Sequence, residues 1–268
     1  MSKYSLVLAA LLMTFLITTS CNALKKPGGG FNLFTVQQDI DLGKQVKAEI
    51  ESNKKEYPIL PEASNRQAYA YIRKITNKLL NTGKVAYRKE FAWEVKIIDD
   101  DKTLNAFCTP GGYIYVYTGL IKYLDSEEQL AGVMGHEIAH AAQRHSTRQM
   151  TKIYGLQTMV AVATGQAEPG LLSQIALSVI SLKNSRAHEE EADSYSVVYM
   201  CPTSYEADGA ADFFKKLEAQ GGSRPPQFLS THPNPGNRVA NITAQAKERG
   251  CKGNSTYKSE YTKFKNSL

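Results

Sequence analysis

The sequence lacks several patterns that would assign it at once to a common class of protein. Its four cysteines stand at positions 21, 108, 201 and 251 without any C-x-x-C pair, which excludes a zinc ribbon and a thioredoxin-type redox centre. It has one Trp, and its net charge of +6 is spread without a dense basic block, so nucleic acid is not the expected partner. With 42% hydrophobic and 22% charged residues, it has the composition of a globular protein.

The first residues have the pattern of an export signal. Lys3 precedes an apolar run over residues 6–17, and small residues follow as far as Cys21. A spanning helix needs about 20 apolar residues, so this shorter run favours a cleaved signal peptide over residues 1–20, with an uncleaved anchor as the alternative. Residues 18–21 resemble a lipobox. We therefore expect Cys21 to carry lipid, and residues 21–34 to form a flexible tether, because they include three consecutive glycines.

Beyond the tether, hydrophobic spacing predicts a mainly helical α+β protein. Helices are predicted at 35–55, 63–80, 126–145 and twice within 156–182, and strands at 91–98 and 113–118. Ser126 and Gln129 have the S-x-x-Q spacing of a capping box at the start of the third helix. No internal repeat or linker follows residue 35, so residues 35–268 are expected to form a single domain.

The predicted third helix contains His136-Glu137-Ile138-Ala139-His140, an H-E-x-x-H match. Residues four apart lie on one helix face, so the imidazoles of His136 and His140 can bind one metal ion. Glu137 is rotated by about 100° from His136, which places its carboxylate beside the metal as a general base. The alternative is two core histidines beside a surface glutamate. The small residues that flank the motif favour the metal site, because they let other elements approach closely.

A catalytic zinc site usually needs a third protein ligand. His145 is the nearest candidate in the sequence. The H-E-x-x-H-x-x-G-x-x-H pattern requires a histidine six residues beyond the second one, whereas His145 lies five residues beyond His140, with Gln143 at the glycine position. We therefore interpret His145 as a cation at the C terminus of the helix and not as a ligand.

The acidic segment Ser185–Asp193 offers a better third ligand. On a helix, Glu189 and Asp193 share one face, so Glu189 can bind the metal while Asp193 accepts the outer N–H of a ligating histidine. Glu190 and Glu191, in the same segment, are interpreted as a solvated helix face. The sequence thus predicts a metal site built from two helices.

Four motifs in this order resemble a known family. They are HEIAH, Ser185–Asp193, Asn105-Ala106-Phe107 with Pro110-Gly111-Gly112, and Thr231-His232-Pro233 followed by Arg238. Over about residues 35–240 the chain resembles the HtpX-like zinc metalloprotease family, which includes the CAAX prenyl proteases, and it is most similar to the periplasmic lipoprotein branch with LoiP and BepA. The resemblance implies a zincin-like (gluzincin) fold with a small β-sheet beside the HEIAH helix.

The resemblance also implies roles for individual residues. One Zn²⁺ per chain is held by His136, His140 and Glu189, with Glu137 catalytic. His232 is implied either to donate to the oxyanion or to occupy the open zinc position, and a turn histidine is the alternative. Arg186 and Arg238 are candidates for supporting the carboxylates of the site, and the sequence does not decide whether they do.

Two further expectations concern the substrate and the cysteines. The strand at 113–118 either pairs with an extended substrate or is an ordinary core strand. The residues expected to bind substrate are Gly112, Tyr113, Ile114 and Tyr115. In an oxidising periplasm, one disulfide and one buried thiol are expected once Cys21 is lipidated. We expect Cys201 to pair with Cys251, and Cys108 to be buried near the strand.

The expected function is that of a zinc metalloendopeptidase of the bacterial cell envelope, lipid-anchored at the outer membrane and facing the periplasm. Its expected partners are unfolded or misfolded envelope polypeptides, which it hydrolyses as quality control. One alternative is a non-catalytic, chaperone-like lipoprotein that assists envelope assembly. A prenyl-protein protease is disfavoured, because the predicted helices cannot build a chamber within the membrane.

Overall fold

The computed structural model describes residues 30–163, 166, 170, 171, 174, 178, 179, 181–220, 227–234 and 236–268. The predicted signal peptide, Cys21 and most of the predicted tether lie outside the described residues, as does much of the second helix predicted within 156–182. Among the helices of the described ranges, none is long and apolar enough to cross a membrane.

The three strands follow two helices in the first half of the described chain, and the second half is helical. The elements are α1 (Val36–Ser52), α2 (Arg66–Leu80), β1 (Glu94–Ile98), β2 (Ala106–Thr109), β3 (Tyr113–Tyr117), α3 (Thr118–Tyr123), α4 (Glu127–Ala142), α5 (His145–Ala163), α6 (Arg186–Met200), α7 (Gly209–Gln220), α8 (Gln227–Thr231), α9 (Arg238–Glu248) and α10 (Lys258–Lys265). The predicted mainly helical α+β class is confirmed. Strand β2, helix α3 and the helices beyond α6 were not predicted.

The three strands form one sheet in the order β1-β3-β2, with β1 parallel and β2 antiparallel to β3. Strand β3 therefore bonds to a neighbour on each side, and all its residues are buried. Of the two alternatives for the strand at 113–118, the structure has the ordinary core strand, because β1 and β2 occupy both of its edges and leave none for a substrate. Strand β2 is itself an outer strand of this sheet, and it packs against α4.

Side chains of β3 alternate between two apolar layers, as the period of a strand requires. Ile114 and Val116 belong to the larger core, which is shared with α2, α4, α6 and α7. Tyr113, Tyr115 and Tyr117 face the opposite layer, to which α1 contributes its apolar side chains. The sheet thus lies between α1 and the helical layer.

Helix α4 is central to the helical layer, and every residue of Glu127–Ala142 is buried. Two of its glycines permit close packing. A Cβ on Gly132 would lie 2.3 Å from the backbone of Ala210, and one on Gly135 would lie 2.9 Å from the hydroxyl of Ser196. That hydroxyl donates to the carbonyl of Gly132 at 2.7 Å. The small residues near the HEIAH motif therefore let α6 and α7 approach α4 closely.

The start of α4 differs from the predicted capping box. Ser126 is the N-cap, but its hydroxyl donates to Oε1 of Glu128 at 2.6 Å and makes no cap bond. The Oε1 of Gln129 accepts from the backbone N–H of Asp125 at 3.0 Å, one residue earlier than a capping box requires. Glu128 is buried near the start of the helix, and this burial raises its pKa to about 7.

The structure joins Cys201 and Cys251 through a disulfide, which is the pairing expected from the sequence. Cys108 is a free thiol in β2, and its side chain is half-buried where full burial was expected. The disulfide links the chain just after α6 to the chain just after α9. These two helices carry acidic and basic residues of the site described next.

Candidate metal centre

Helix α4 places both histidines of the HEIAH motif on one buried face. The Nε2 atoms of His136 and His140 are 2.9 Å apart. Both side chains are almost fully buried. Because the spacing of four residues closes one helical turn, this pair depends on local geometry alone.

Two further side chains reach the same point from other elements. On α6, Glu189 places Oε2 3.3 Å from Nε2 of His136 and Oε1 3.3 Å from Nε2 of His140. The hydroxyl of Ser185, the N-cap of α6, accepts the backbone N–H of residue 188 at 3.2 Å and so fixes the start of this helix. Just after α8, His232 places Nδ1 3.3 Å from Nε2 of His136 and 3.3 Å from Oε1 of Glu189.

The resulting group fits a tetrahedral metal ion. One ligand atom from each of its four residues lies within 4.8 Å of the others. Metal–nitrogen bonds of 2.0–2.1 Å imply ligand atoms about 3.3 Å apart in a tetrahedron, and most of the contacts above have that length. Three imidazole nitrogens and one carboxylate form a donor set suited to a divalent transition metal. The group consists of His136, His140, Glu189 and His232.

A buried ion-pair network holds the first ligand in place. The Nδ1 of His136 is 2.8 Å from Oδ1 of Asp193. Arg238, at the start of α9, donates to both oxygens of Asp193 at 2.6 and 2.7 Å and to Oε2 of Glu189 at 3.1 Å. The guanidinium lies 3.8 Å above the ring of Phe214. Arg238 therefore supports both carboxylates, whereas Arg186 is exposed.

Neighbouring charges set the ionisation of these buried groups. Burial alone would raise the pKa of Glu189, but the imidazoles of His232 and His140 hold it well below its ordinary value. The pKa of Asp193 is lowered in the same way, chiefly by its hydrogen bond with His136. Burial opposes a charge on His136, yet both carboxylates together raise its pKa to about 9. The centre thus places two ionised carboxylates next to imidazole nitrogens, an environment that favours binding of a cation.

Glu137 lies beside this group with one carboxylate oxygen unsatisfied. Its Oε1 has no hydrogen-bond partner among the described residues and is 3.5 Å from Nε2 of His232. Burial raises the pKa of Glu137, and the nearby imidazoles only partly offset this effect. Glu137 and His232 line a small pocket together with Phe107 and Cys108 of β2. A carboxylate in this position can accept a proton from a group held at the metal.

His145 has a role that the sequence did not indicate. The interpretation as a C-terminal cation is wrong, because His145 opens α5 and is fully buried. Burial above all, and then the neighbouring His188 and Arg148, hold its pKa well below the ordinary value. Its Nδ1 is 2.7 Å from Nδ1 of His140, and its Nε2 is 3.2 Å from Oε2 of Glu191.

The interpretation of Glu191 as a solvated residue is also wrong. Its side chain is 29% exposed, and Oε2 accepts from Nη1 of Arg148 at 2.9 Å. Glu190, by contrast, is exposed as expected. The sequence contains one signal for the contacts of His145 with His140 and Glu191, namely the histidine five residues after His140. A spacing of five does not place two residues on the same face of a helix, so this signal did not predict the contact.

The residues expected to bind substrate are buried in the sheet, away from the small pocket. Gly112 has φ +82°, and a Cβ there would lie 3.0 Å from the ring of Trp93. The ring of Tyr115 stacks on Phe107 at 4.9 Å between centroids. Tyr113 and Ile114 face opposite apolar layers. The structure thus brings the predicted metal ligands together. The four residues expected to bind substrate lie in or next to the central strand β3, and β2 separates them from the edge of the sheet.

Comparisons with known proteins agree with this arrangement. Residues 66–246 match the model of the family described as Peptidase family M48. The chain is 33% identical over 155 residues to the mitochondrial metalloendopeptidase OMA1 of Arabidopsis thaliana, covering 58% of this chain and 32% of that protein. It is 33% identical over 168 residues to the beta-barrel assembly-enhancing protease of Escherichia coli strain K12, covering 57% of this chain and 34% of that protein.

A third relative is the putative beta-barrel assembly-enhancing protease of Vibrio cholerae, which is 32% identical over 162 residues, with 55% of this chain and 34% of that protein covered. The chain therefore spans about a third of the length of these relatives. The family match includes every residue of the metal group and of its ion-pair network.

Proposed function

The chain belongs to peptidase family M48, and we propose that it is a zinc-dependent metalloendopeptidase of the bacterial cell envelope. The observation that carries this proposal is the convergence of four buried ligand atoms beside the unsatisfied carboxylate of Glu137. Zinc suits the donor set, because it takes imidazole and carboxylate ligands in a tetrahedron. When bound, it supplies Lewis-acid activation of a peptide carbonyl and of water.

The chain's own residues hold the metal, orient its ligands and transfer the proton. His136, His140 and Glu189 are proposed to hold the metal, and Asp193 to orient His136. Oε1 of Glu137 takes a proton from the attacking water and passes it to the leaving amine. His232 is proposed to hold the metal as well, through Nδ1, the atom that faces His136 and Glu189. Its Nε2 lies 3.5 Å from Oε1 of Glu137 and can donate a hydrogen bond on that side of the site.

Strand β2 is the proposed docking edge for an extended substrate. The N–H of Tyr117 donates to the carbonyl of Asn105 at 3.1 Å, so odd-numbered residues of β2 bond to β3. Even-numbered residues direct their backbone groups outward, and the carbonyl of Leu104 accepts from Phe228 accordingly. Cys108, which is partly exposed and lines the pocket with Glu137, therefore directs main-chain groups away from β3, whereas Ala106 is fully buried. An extended polypeptide can pair there as an added strand.

Space for a substrate chain continues beyond the small pocket. A cavity of about 650 Å³ shares Phe107 and Thr231 with the pocket that contains Glu137. A main-chain docking edge next to open space favours extended polypeptides over folded ones. Together with the predicted export signal, this favours unfolded or misfolded envelope proteins as substrates. Two of the relatives are named as proteases that enhance beta-barrel assembly, which supports the same compartment.

A single substitution tests the activity. We expect Glu137→Gln to bind zinc as the unsubstituted protein does, because it leaves all four ligands in place. Hydrolysis of an unfolded polypeptide should fall at least about 100-fold, the contribution of a positioned general base. The measurements are zinc content and cleavage of reduced, unfolded casein. Full cleavage by this variant would contradict the mechanism. Suppression of aggregation by both proteins, with cleavage by neither, would favour the chaperone-like alternative.

Lipid anchoring at Cys21 remains part of the proposal. Membrane attachment should disappear on Cys21→Ser, since a hydroxyl cannot form the thioether that holds the lipid. Fractionation of cells that express each protein measures this directly. Equal membrane retention of both proteins would contradict the lipid anchor and favour an uncleaved N-terminal segment.

A further inference from the structure

The two histidines of the HEIAH motif have different partners for their outer nitrogens. His136 contacts the Asp193 carboxylate through Nδ1 at 2.8 Å. His140 contacts another imidazole, with its Nδ1 2.7 Å from Nδ1 of His145. A metal-ligating histidine needs such an outer partner, because the partner fixes its tautomer and ring orientation. An imidazole can serve this purpose only if it is itself held as an acceptor.

Glu191 holds His145 in the orientation in which its Nδ1 can accept a hydrogen bond. An ionised carboxylate only accepts hydrogen bonds. Oε2 of Glu191 is 3.2 Å from Nε2 of His145, so this nitrogen donates its N–H to the carboxylate. The two Nδ1 atoms of His145 and His140 are 2.7 Å apart and share one proton. Because His140 can bind a metal only through an unprotonated Nε2, that proton lies on Nδ1 of His140, and Nδ1 of His145 accepts it. This leaves a lone pair on Nε2 of His140, the atom that faces the other ligands.

The surrounding fold holds His145 in this place. Residue 144 has φ +58°, in the left-handed region, and so reverses the chain between α4 and α5. Arg144 forms an ion pair with the buried Asp39 of α1 and donates to the carbonyl of Phe34 at 2.5 Å. The ring of His145 also stacks on His188 with centroids 4.4 Å apart and an interplanar angle of 3°. The ion pair with α1 thus fixes the turn that precedes His145, and the stacking on His188 of α6 fixes the ring itself.

We propose that His145 is a positioning residue of the metal centre, which accepts the Nδ1 proton of His140 and thereby holds Nε2 toward the metal. Glu191, fixed by Arg148, sets the tautomer of His145. The inference rests on the zinc site of the proposed function. It assigns no contact between His145 and substrate or metal.

Two substitutions separate hydrogen bonding from packing. His145→Leu fills similar space without an acceptor, whereas in His145→Asn the Oδ1 atom can take the place of Nδ1. We expect the leucine variant to bind zinc 10- to 100-fold more weakly, the usual loss when an outer partner of a ligand is removed. The asparagine variant should keep most of the affinity. Zinc affinity is measured by competition with a chromophoric chelator, without any substrate.

Thermal unfolding distinguishes this role from a merely structural one. A ligand that binds the native state stabilises it in proportion to the logarithm of its affinity. The leucine variant should therefore show a smaller zinc-induced rise in melting temperature. A structural role would lower the melting temperature of the metal-free protein and leave that rise unchanged, which would overturn the proposal. Equal losses of zinc affinity in both variants would also overturn it.

If the variants do not fold, the histidine tautomers of the unsubstituted protein test the same proposal. Nitrogen-15 NMR of the zinc-loaded protein reports the tautomer of each histidine. We expect a proton on Nε2 of His145 and on Nδ1 of His140. A proton on Nδ1 of His145 would overturn the proposal. Protein that binds zinc with these tautomers but cleaves no polypeptide would contradict the proposed function alone.

Discussion

Removal of the Cys201–Cys251 disulfide should destabilise the protein by an amount that follows from its place in the chain. The bond spans a sequence separation of 50 residues. In the chain-entropy description, closing a loop of that length restricts the unfolded state by about 4 kcal/mol at 25 °C. A domain is typically stable by only about 5–15 kcal/mol, so the loss is a large share. The perturbation is the double variant Cys201→Ala with Cys251→Ala.

The assay is urea unfolding in the presence of a chelator, so that metal binding does not contribute. Cys108→Ala is the matched control, because it removes a thiol that forms no disulfide. We expect the double variant to lose about 4 kcal/mol of unfolding free energy relative to this control. A loss below about 1 kcal/mol would refute the reasoning, since the unfolded chain would then gain little freedom.

The same variant tests whether the disulfide matters to the site. Asp193 lies eight residues before Cys201, which is about 12 Å along α6. Arg238 begins α9 and Cys251 follows its end, so the contacts of Arg238 with Asp193 lie well away from the disulfide. The folded double variant should therefore bind zinc nearly as tightly as the control. A large loss of zinc affinity would mean that α9 separates from α6 when the bond is absent.

Three further outcomes follow from the described contacts. Arg238→Met leaves the carboxylate of Asp193 without its buried cation, and should lower the free energy of unfolding by about 3–5 kcal/mol in urea titrations. Since the pKa of Glu128 is raised to about 7, its contribution to stability is complete below pH 4.5 and is lost as the pH rises through 7. Glu128→Gln should therefore raise the urea midpoint at pH 8 but not at pH 4, and equal shifts at both would contradict this origin. At the substrate edge, Cys108→Pro removes an outward N–H and should raise KM for a peptide, whereas Cys108→Ala keeps that N–H and should not.

The parts of the site that depend on local geometry were predictable from the sequence. His136 and His140 are four residues apart on one helix, and Glu189 and Asp193 are four apart on another, so the period of the α-helix places each pair on one face. The disulfide pairing expected from the cysteines is present in the structure. The mainly helical class followed from the long periodic runs.

Errors arose where a neighbour in space outweighed the local pattern. Gln129 bonds to Asp125 instead of completing a capping box, because Ser126 is engaged by Glu128. Strand β2 is short, and its pairing with β3 places an unpredicted strand at the edge of the sheet. Hydrophobic period and β propensity within one segment cannot indicate which strand forms the edge of the sheet, since the order of the strands depends on pairing with segments from elsewhere in the chain.

The sequence by itself determined which residue types form the metal group and which pairs share a helix face. Only the tertiary structure decided how the elements meet: that His232 reaches the group from beyond α8, and that Arg238 bonds to Asp193. It also decided that His145 contacts His140, through a left-handed turn held by an ion pair with α1. The physical reason is the separation, along the chain, of the residues that make each contact. Helical spacing acts over four residues, whereas these contacts join residues up to about a hundred positions apart, where packing of the whole core fixes the geometry.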